Sequence, residues 1–383
     1  MLDRRKLLVG AAALAGYSAL ARAAVAPYEW PTISPADAGF VPGFGERLDQ
    51  FVLGGQAPNI HGVIIVRRGR VVFENYFEGD DQVRDEHGRA HFERVAFSAE
   101  RSHELRSVSK SIVGLLYGIA LGEGKVPPLD APLLEQFPQL TDLPDLEQRR
   151  RWTIRHAISM TLGLEWNEEI SYDDPRNGQT AMDRAADPYR YVLGLPIVAA
   201  AGARWIYCGG ATALIGKILE NGTQQKLPDY ARAVLFDPLG IGPAVWRIGP
   251  NGERNFASGI GMRPRDLARI GQMLLERGKA CERQIVPADW LDESFKPQVT
   301  IRDRREYGCH WYLGEIVFNS ADGPRQERWI AAFGNGGQRL YVFPRLDLQV
   351  VITAGNYNRR DQGVPPNRVL TERILPSLHA NPN

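Results

Sequence analysis

Cysteine is scarce in this chain: Cys208, Cys281 and Cys309 are the only three in 383 residues, and no two stand in C-x-x-C spacing. An odd count without paired spacing excludes a disulfide framework and a cysteine-rich zinc site, and allows one bridge at most. An excess of one charge is missing too. Lys and Arg total 46 against 45 Asp and Glu, a net charge of +1, so no global field draws the protein to nucleic acid or to an anionic membrane. Beyond the first 25 residues no apolar run approaches the about 20 residues that span a bilayer. Internal repeats and low-complexity tracts are absent. So are G-x-S-x-G, H-E-x-x-H and the P-loop, which argues against the α/β-hydrolase, zincin and nucleotide-triphosphatase classes.

What is present is a hydrophobic fraction of 44%, ample for a buried core, with 39 Gly and 26 Pro that imply many loops. The N-terminus sets Arg4-Arg5-Lys6 ahead of Leu7-Leu8 and a mild Ala- and Gly-rich stretch, then Ala21-Arg22-Ala23 with the small-x-small spacing of a cleavage site. Residues 1–23 are therefore expected to be an export signal. The adjacent arginines suggest the twin-arginine type, with an ordinary secretory signal as the alternative. Residues 24–383 would be the mature domain, periplasmic or secreted, and no cysteine follows the cleavage site to carry a lipid anchor.

Residues 60–77 read as two strands around the Gly-containing turn Arg67-Arg68-Gly69-Arg70 and predict a hairpin. A charged stretch containing His87 and His91 follows and reads as a polar loop, its histidines solvated rather than metal-binding. From Ser107 to Gly122 apolar residues recur almost all round a helix, which predicts that this helix is buried. Residues 130–300 alternate helical stretches with turn-rich loops such as Trp166 to Asn177. Strand patterns return over Gly308–Phe318, Arg328–Phe333, Arg339–Phe343 and Leu348–Ala354, before a helix over Arg368–Leu378. The pattern predicts an α+β fold: one antiparallel sheet made by both chain ends (about 58–105 and 305–380), with a mostly helical region (about 106–304) inserted.

Ser107-Val108-Ser109-Lys110 places a serine and a lysine three apart on one face of the buried helix. A serine hydroxyl needs an adjacent base, and a lysine serves as one only when burial makes it neutral. A serine at a helix N-terminus also lies where free N–H groups stabilise developing negative charge. Taken alone, Ser-x-x-Lys is a weak pattern that chance supplies often, and its plainer reading is a serine cap followed by a solvated lysine.

The surrounding residues carry more. Arg106 to Gly114, Gly122-Glu123-Gly124-Lys125-Val126 and Leu129-Asp130-Ala131-Pro132 resemble the active-site helix of penicillin-recognising serine hydrolases, the relatives of class C β-lactamases, esterases and DD-peptidases. Ile158 to Trp166, Asp187-Pro188 leading to Tyr191-Val192-Leu193, and Arg265 to Gly271 fit the same family, so the resemblance covers about 60–355. It implies the β-lactamase/transpeptidase-like fold and three motifs. Ser107 and Lys110 would be nucleophile and base. Tyr207, in Trp205-Ile206-Tyr207-Cys208-Gly209-Gly210, matches the tyrosine of Tyr-x-Asn and would relay protons, with Gly209 where the family often has Asn. Gly334-Asn335-Gly336-Gly337-Gln338 matches the third motif, with Asn335 in place of Lys or His. The N–H groups of Ser107 and Gln338 would form the oxyanion hole, and Asn335, Gly336 and Gly337 would line the substrate.

The function expected on this basis is hydrolysis of a small ester or amide through an acyl-enzyme on Ser107, with no cofactor and no metal. Loss of the amide at 209 and of the cation at 335 favours an esterase or linear-amide hydrolase over a β-lactamase. The alternatives are an exported amidase of the 6-aminohexanoate-dimer hydrolase type, a weak β-lactamase or DD-peptidase, and a non-catalytic sensor of cell-wall fragments. Asp173, Asp174 and Trp311 are weaker candidates for contact with substrate.

Overall fold

The structure is a computed structural model that describes residues 30–84, 90–301 and 305–379. The expected signal at residues 1–23, and His87, lie outside the described residues. An eight-stranded antiparallel sheet dominates, with strands in the order Val299–Thr300, Glu306–Tyr307, Tyr312–Ser320, Gly323–Gly334, Gln338–Phe343, Leu348–Ala354, Ile60–Arg67 and Arg70–Tyr76. The two chain ends meet where Ile60–Arg67 runs against Leu348–Ala354, with Ile65 opposite Val350. The expected α+β arrangement is thus the observed one.

Ile60–Arg67 shows why the sheet is covered on both faces. All of its residues are buried, and alternate side chains enter different cores: Ile64 and Val66 one, Val63 and Ile65 the other. The first core holds the helices Val108–Gly122, Gly209–Thr223 and Pro264–Leu275. The second holds the helix Phe44–Leu53 and the C-terminal helix, which starts as Val364–Arg368, widens to a π-type segment Val369–Ile374 and tightens at Leu375–Ser377. That helix begins four residues before the expected Arg368, because Pro365 and Pro366 occupy its first turn, where no N–H is needed.

The segment 78–105 departs from expectation. Only the hairpin ending at Tyr76 joins the main sheet. Glu78–Arg84 and Ala90–Ala96 pair with each other as a separate hairpin, so His91 is an exposed strand residue rather than part of a loop. His103–Glu104 joins a small sheet with Ile260–Met262 and Val245–Trp246. The charged residues that suggested a loop are the solvent faces of a two-stranded ribbon.

The nucleophile helix, Val108–Gly122, is buried from Val108 through Ala120. Trp311 is 1% exposed and packs edge-on against Phe295, so it belongs to the core. All three cysteines are free thiols, Cys208 and Cys309 buried. Among the described residues no helix is long and apolar enough to cross a membrane.

Candidate active site

Ser107 is the N-cap of the buried helix, and the turn that delivers it is unusual. Arg106, just before it, has φ 51°, left-handed for a residue with a Cβ. Its carbonyl accepts both the Ser109 N–H at 2.9 Å and the Ser109 hydroxyl at 2.6 Å, while Ser109 Oγ accepts the Ile260 N–H at 3.1 Å. Ser109 therefore locks the turn to the small sheet. Its neighbour Ser107 is left to face a cavity.

One helical turn on, Lys110 is 2% exposed. Its Nζ lies 3.1 Å from Ser107 Oγ and donates to the Ala257 carbonyl at 3.1 Å. Burial pushes its pKa below the usual lysine value; the Glu168 carboxylate, and secondarily Cys208, oppose that shift without cancelling it. Once neutral, an amine that gives one N–H to Ala257 keeps its lone pair for the serine proton. Tyr207 lies on the other side, its ring 4.7 Å from the Lys110 nitrogen and its hydroxyl hydrogen-bonded to the Ser107 side chain. Burial, with Tyr312 and Glu168 nearby, holds the Tyr207 pKa well above 10, so it is a phenol at neutral pH. The structure thus brings Ser107, Lys110 and Tyr207 together.

The third motif lies on the turn into Gln338–Phe343. Gly336 and Gly337 have φ 91° and 104°, which side chains rarely adopt, and a Cβ on Gly336 would come within 2.5 Å of the Tyr357 ring. Asn335 lines the cavity with Ser107 and pairs reciprocally with Asn358, its Nδ2 donating at 3.2 Å and its Oδ1 accepting the Asn358 N–H at 3.0 Å. The Gln338 side chain turns inward instead. Fully buried, it donates to the Ala354 carbonyl at 2.6 Å and accepts the Ala354 N–H at 3.1 Å, clamping two strands behind the turn.

Residues that sequence reasoning missed complete the site. Glu168, in the Trp166–Asn177 loop, accepts the Gly209 N–H at 2.6 Å and the Trp166 indole N–H at 2.7 Å, and Tyr172 donates to it at 3.3 Å. A Cβ on Gly209 would meet Gln179 Oε1 at 2.2 Å and Glu168 Oε1 at 2.8 Å. The volume that an asparagine at 209 would fill is therefore taken by groups from another loop and helix. The amide absent from position 209 is replaced in space by that of Gln179. Local sequence carries no signal for this, because the partners stand 30 to 41 residues away.

Two spaces flank the Ser107–Tyr207 pair. A cavity of about 430 Å³ reaches Ser107 and includes Arg106, Tyr172, Asp173, Gln179, Arg247 and Asn335. Here Arg106 donates to Gln82 at 2.7 Å, pairs with Glu104 at 2.9 Å and stacks over the Tyr357 ring. Asp173 is thus at the cavity, whereas Asp174 is spent on Arg176 at 2.6 Å. The other space, a cleft of about 800 Å³, reaches Tyr207 and is walled by Trp205, Tyr312, Glu168 and the Val299–Thr300 strand.

Known proteins share this fold. Residues 48–372 match the Beta-lactamase family model. The chain is 26% identical over 289 residues to a 6-aminohexanoate-dimer hydrolase of Paenarthrobacter ureafaciens, 68% of either chain. Its fold superposes on a Bacillus anthracis protein assigned as a 6-aminohexanoate-dimer hydrolase, with a TM-score of 0.67 and 17% identity over 90% of this chain and 87% of that one. The octameric penicillin-binding protein homologue of Pyrococcus abyssi gives 0.62 and 18%, covering 85% and 75%. The chain belongs to the Beta-lactamase family and is a hydrolase of the β-lactamase/transpeptidase-like fold.

Proposed function

We propose that the protein is a serine hydrolase that cleaves a small ester or linear amide through an acyl-enzyme on Ser107. The observation that carries this reading is the 3.1 Å approach of a buried, pKa-lowered Lys110 to Ser107 Oγ. In the first half-reaction neutral Lys110 takes the hydroxyl proton as Oγ attacks the substrate carbonyl carbon. The Ser107 and Gln338 N–H groups receive the oxyanion. Tyr207, kept as a phenol, gives its proton to the departing oxygen or nitrogen and regains one from Lys110. Water then attacks the acyl-enzyme, giving its proton back through the same pair and releasing acid and free serine.

The two-sided cleft favours a substrate that extends past the scissile bond in both directions, one arm toward Arg106 and the other toward Trp205 and Tyr312. An extended linear amide fits that shape, and the relation to a 6-aminohexanoate-dimer hydrolase supports this second reading. Gly209, Gln179 and Asn335 in the places described weigh against efficient β-lactam turnover. We place the enzyme outside the cytoplasm, on the strength of residues 1–23 alone.

Intact-mass labelling with a fluorophosphonate, alongside p-nitrophenyl butyrate hydrolysis, tests the reading. A single adduct and turnover are expected, both lost in Ser107→Ala. A folded protein that takes no adduct and shows no turnover would shift the assignment to the non-catalytic sensor.

A further inference from the structure

Behind the Arg106 turn, outside the catalytic group, two buried histidines face each other. His61 Nδ1 lies 2.9 Å from His103 Nε2, and their rings are 0% and 2% exposed. The remaining ring nitrogens fix the tautomers. His103 Nδ1 meets the Glu104 carbonyl oxygen at 3.0 Å, an acceptor only, so Nδ1 carries the proton and Nε2 a lone pair. His61 Nε2 lies 3.2 Å from Asn59 Oδ1. The Asn59 amide is oriented by Asp80, whose N–H donates to Oδ1 at 2.7 Å and whose carbonyl accepts from Nδ2 at 2.9 Å. His61 Nε2 is therefore the protonated nitrogen, and Nδ1 carries the lone pair. Two lone pairs thus point at one another across 2.9 Å. Such an arrangement is repulsive unless a cation sits between them.

A metal ion is matched to this place, because a carboxylate completes the group: ligand atoms of His61, His103 and Asp81 all lie within 4.8 Å of one another. We propose that His61, His103 and Asp81 bind a divalent transition-metal ion of the zinc class. Two neutral imidazoles and a carboxylate are a ligand set such ions favour, and each histidine already has the outer hydrogen bond, to Asn59 or to the Glu104 carbonyl, that orients metal-bound imidazoles. Zinc–nitrogen bonds of about 2.0–2.1 Å at a tetrahedral angle separate the nitrogens by roughly 3.3 Å, so binding asks the rings to part by about 0.4 Å.

The ion would join three segments distant in sequence: the start of Ile60–Arg67, the strand Glu78–Arg84 and the short strand His103–Glu104. These segments also hold the nucleophile turn. Glu104 pairs with Arg106, Gln82 accepts from Arg106, and Asp81 accepts from the hydroxyl of Tyr357, whose ring lies beneath the Arg106 guanidinium. Metal loading is thus a structural cross-link placed four residues before Ser107, separate from the chemistry at Ser107 itself.

The test uses the full chain stripped with a chelator and titrated with Zn²⁺ by calorimetry and with Co²⁺ by visible absorption. One Zn²⁺ per chain, ligand-field bands for Co²⁺ and a metal-dependent rise in Tm are expected. His103→Gln should abolish binding, and Asp81→Asn should weaken it at least about ten-fold while leaving the metal-free Tm unchanged. His91→Ala should have no effect. The half-buried Asp81 variant decides the matter if His103→Gln does not fold. Absence of stoichiometric binding by the folded chain, or binding undiminished in Asp81→Asn, would overturn the proposal.

Discussion

The Glu168 carboxylate accepts the backbone N–H of Gly209 at 2.6 Å, two residues beyond the tyrosine that touches Ser107. This one contact ties the loop over the cleft to the second motif, and it explains why position 209 carries no side chain. With Glu168 and Gln179 filling the space, the site has exchanged one amide for a carboxylate and an amide supplied from elsewhere in the chain.

Gly209→Asn, which restores the residue common among β-lactamases, should therefore harm this protein. The new side chain meets Gln179 Oε1 at 2.2 Å. Overpacking of this kind costs about 1–3 kcal/mol. Thermal unfolding should show a lowered Tm, and a β-lactam hydrolysis assay should show no gain. A variant as stable as the parent would disprove the packing argument.

Lys110→Met should lower kcat by about 10²–10⁴-fold, the usual worth of a general base. Its Tm should be unchanged or raised, because a buried amine is replaced by an apolar chain of similar length. Lys110→Arg should be equally inactive, since a guanidinium stays charged. Steady-state kinetics and a melting curve on the same preparation separate lost chemistry from lost fold.

Activity should rise with pH as Lys110 loses its proton, along a limb lying below the lysine value of 10.5. Glu168 holds the charged form of Lys110 in place, so Glu168→Gln should move that limb to lower pH. Gln keeps an acceptor for the Gly209 N–H. The same depressed pKa predicts that the unfolded chain binds the extra proton between the folded pKa and 10.5, so this residue's contribution to stability grows with pH through that window. A kcat/KM profile that shifts upward in Glu168→Gln would contradict the assignment of Lys110 as the base.

Tyr207→Phe keeps the ring beside Lys110 and removes only the hydroxyl. Amide hydrolysis, whose leaving nitrogen must be protonated, should fall by about 10²-fold or more. Hydrolysis of p-nitrophenyl esters, whose leaving group departs as an anion, should fall far less. Equal losses on both substrates would mean that Tyr207 does not deliver the leaving-group proton.

The sequence by itself determined the parts of this protein that depend on short-range order. Short apolar runs bounded by turn residues placed Ile60–Arg67 and Leu348–Ala354 as strands, and a nearly continuous apolar surface made Val108–Gly122 a buried helix. Three-residue spacing put Lys110 on the face of Ser107, and the glycines at 336 and 337 marked a turn that side chains resist. Tertiary structure alone decided the rest. Glu168 and Gln179 reach Gly209 across 41 and 30 residues, the Ala257 carbonyl anchors Lys110 from 147 residues away, and His61 meets His103 although they are 42 residues apart. The charged residues of Glu78–Arg84 and Ala90–Ala96 looked like a loop because a ribbon outside the main sheet lacks the buried faces that give Ile60–Arg67 and Leu348–Ala354 their apolar runs. Periodicity reports which side of an element faces the core, whereas a site is assembled by contacts between elements, and these are fixed only when the whole chain packs.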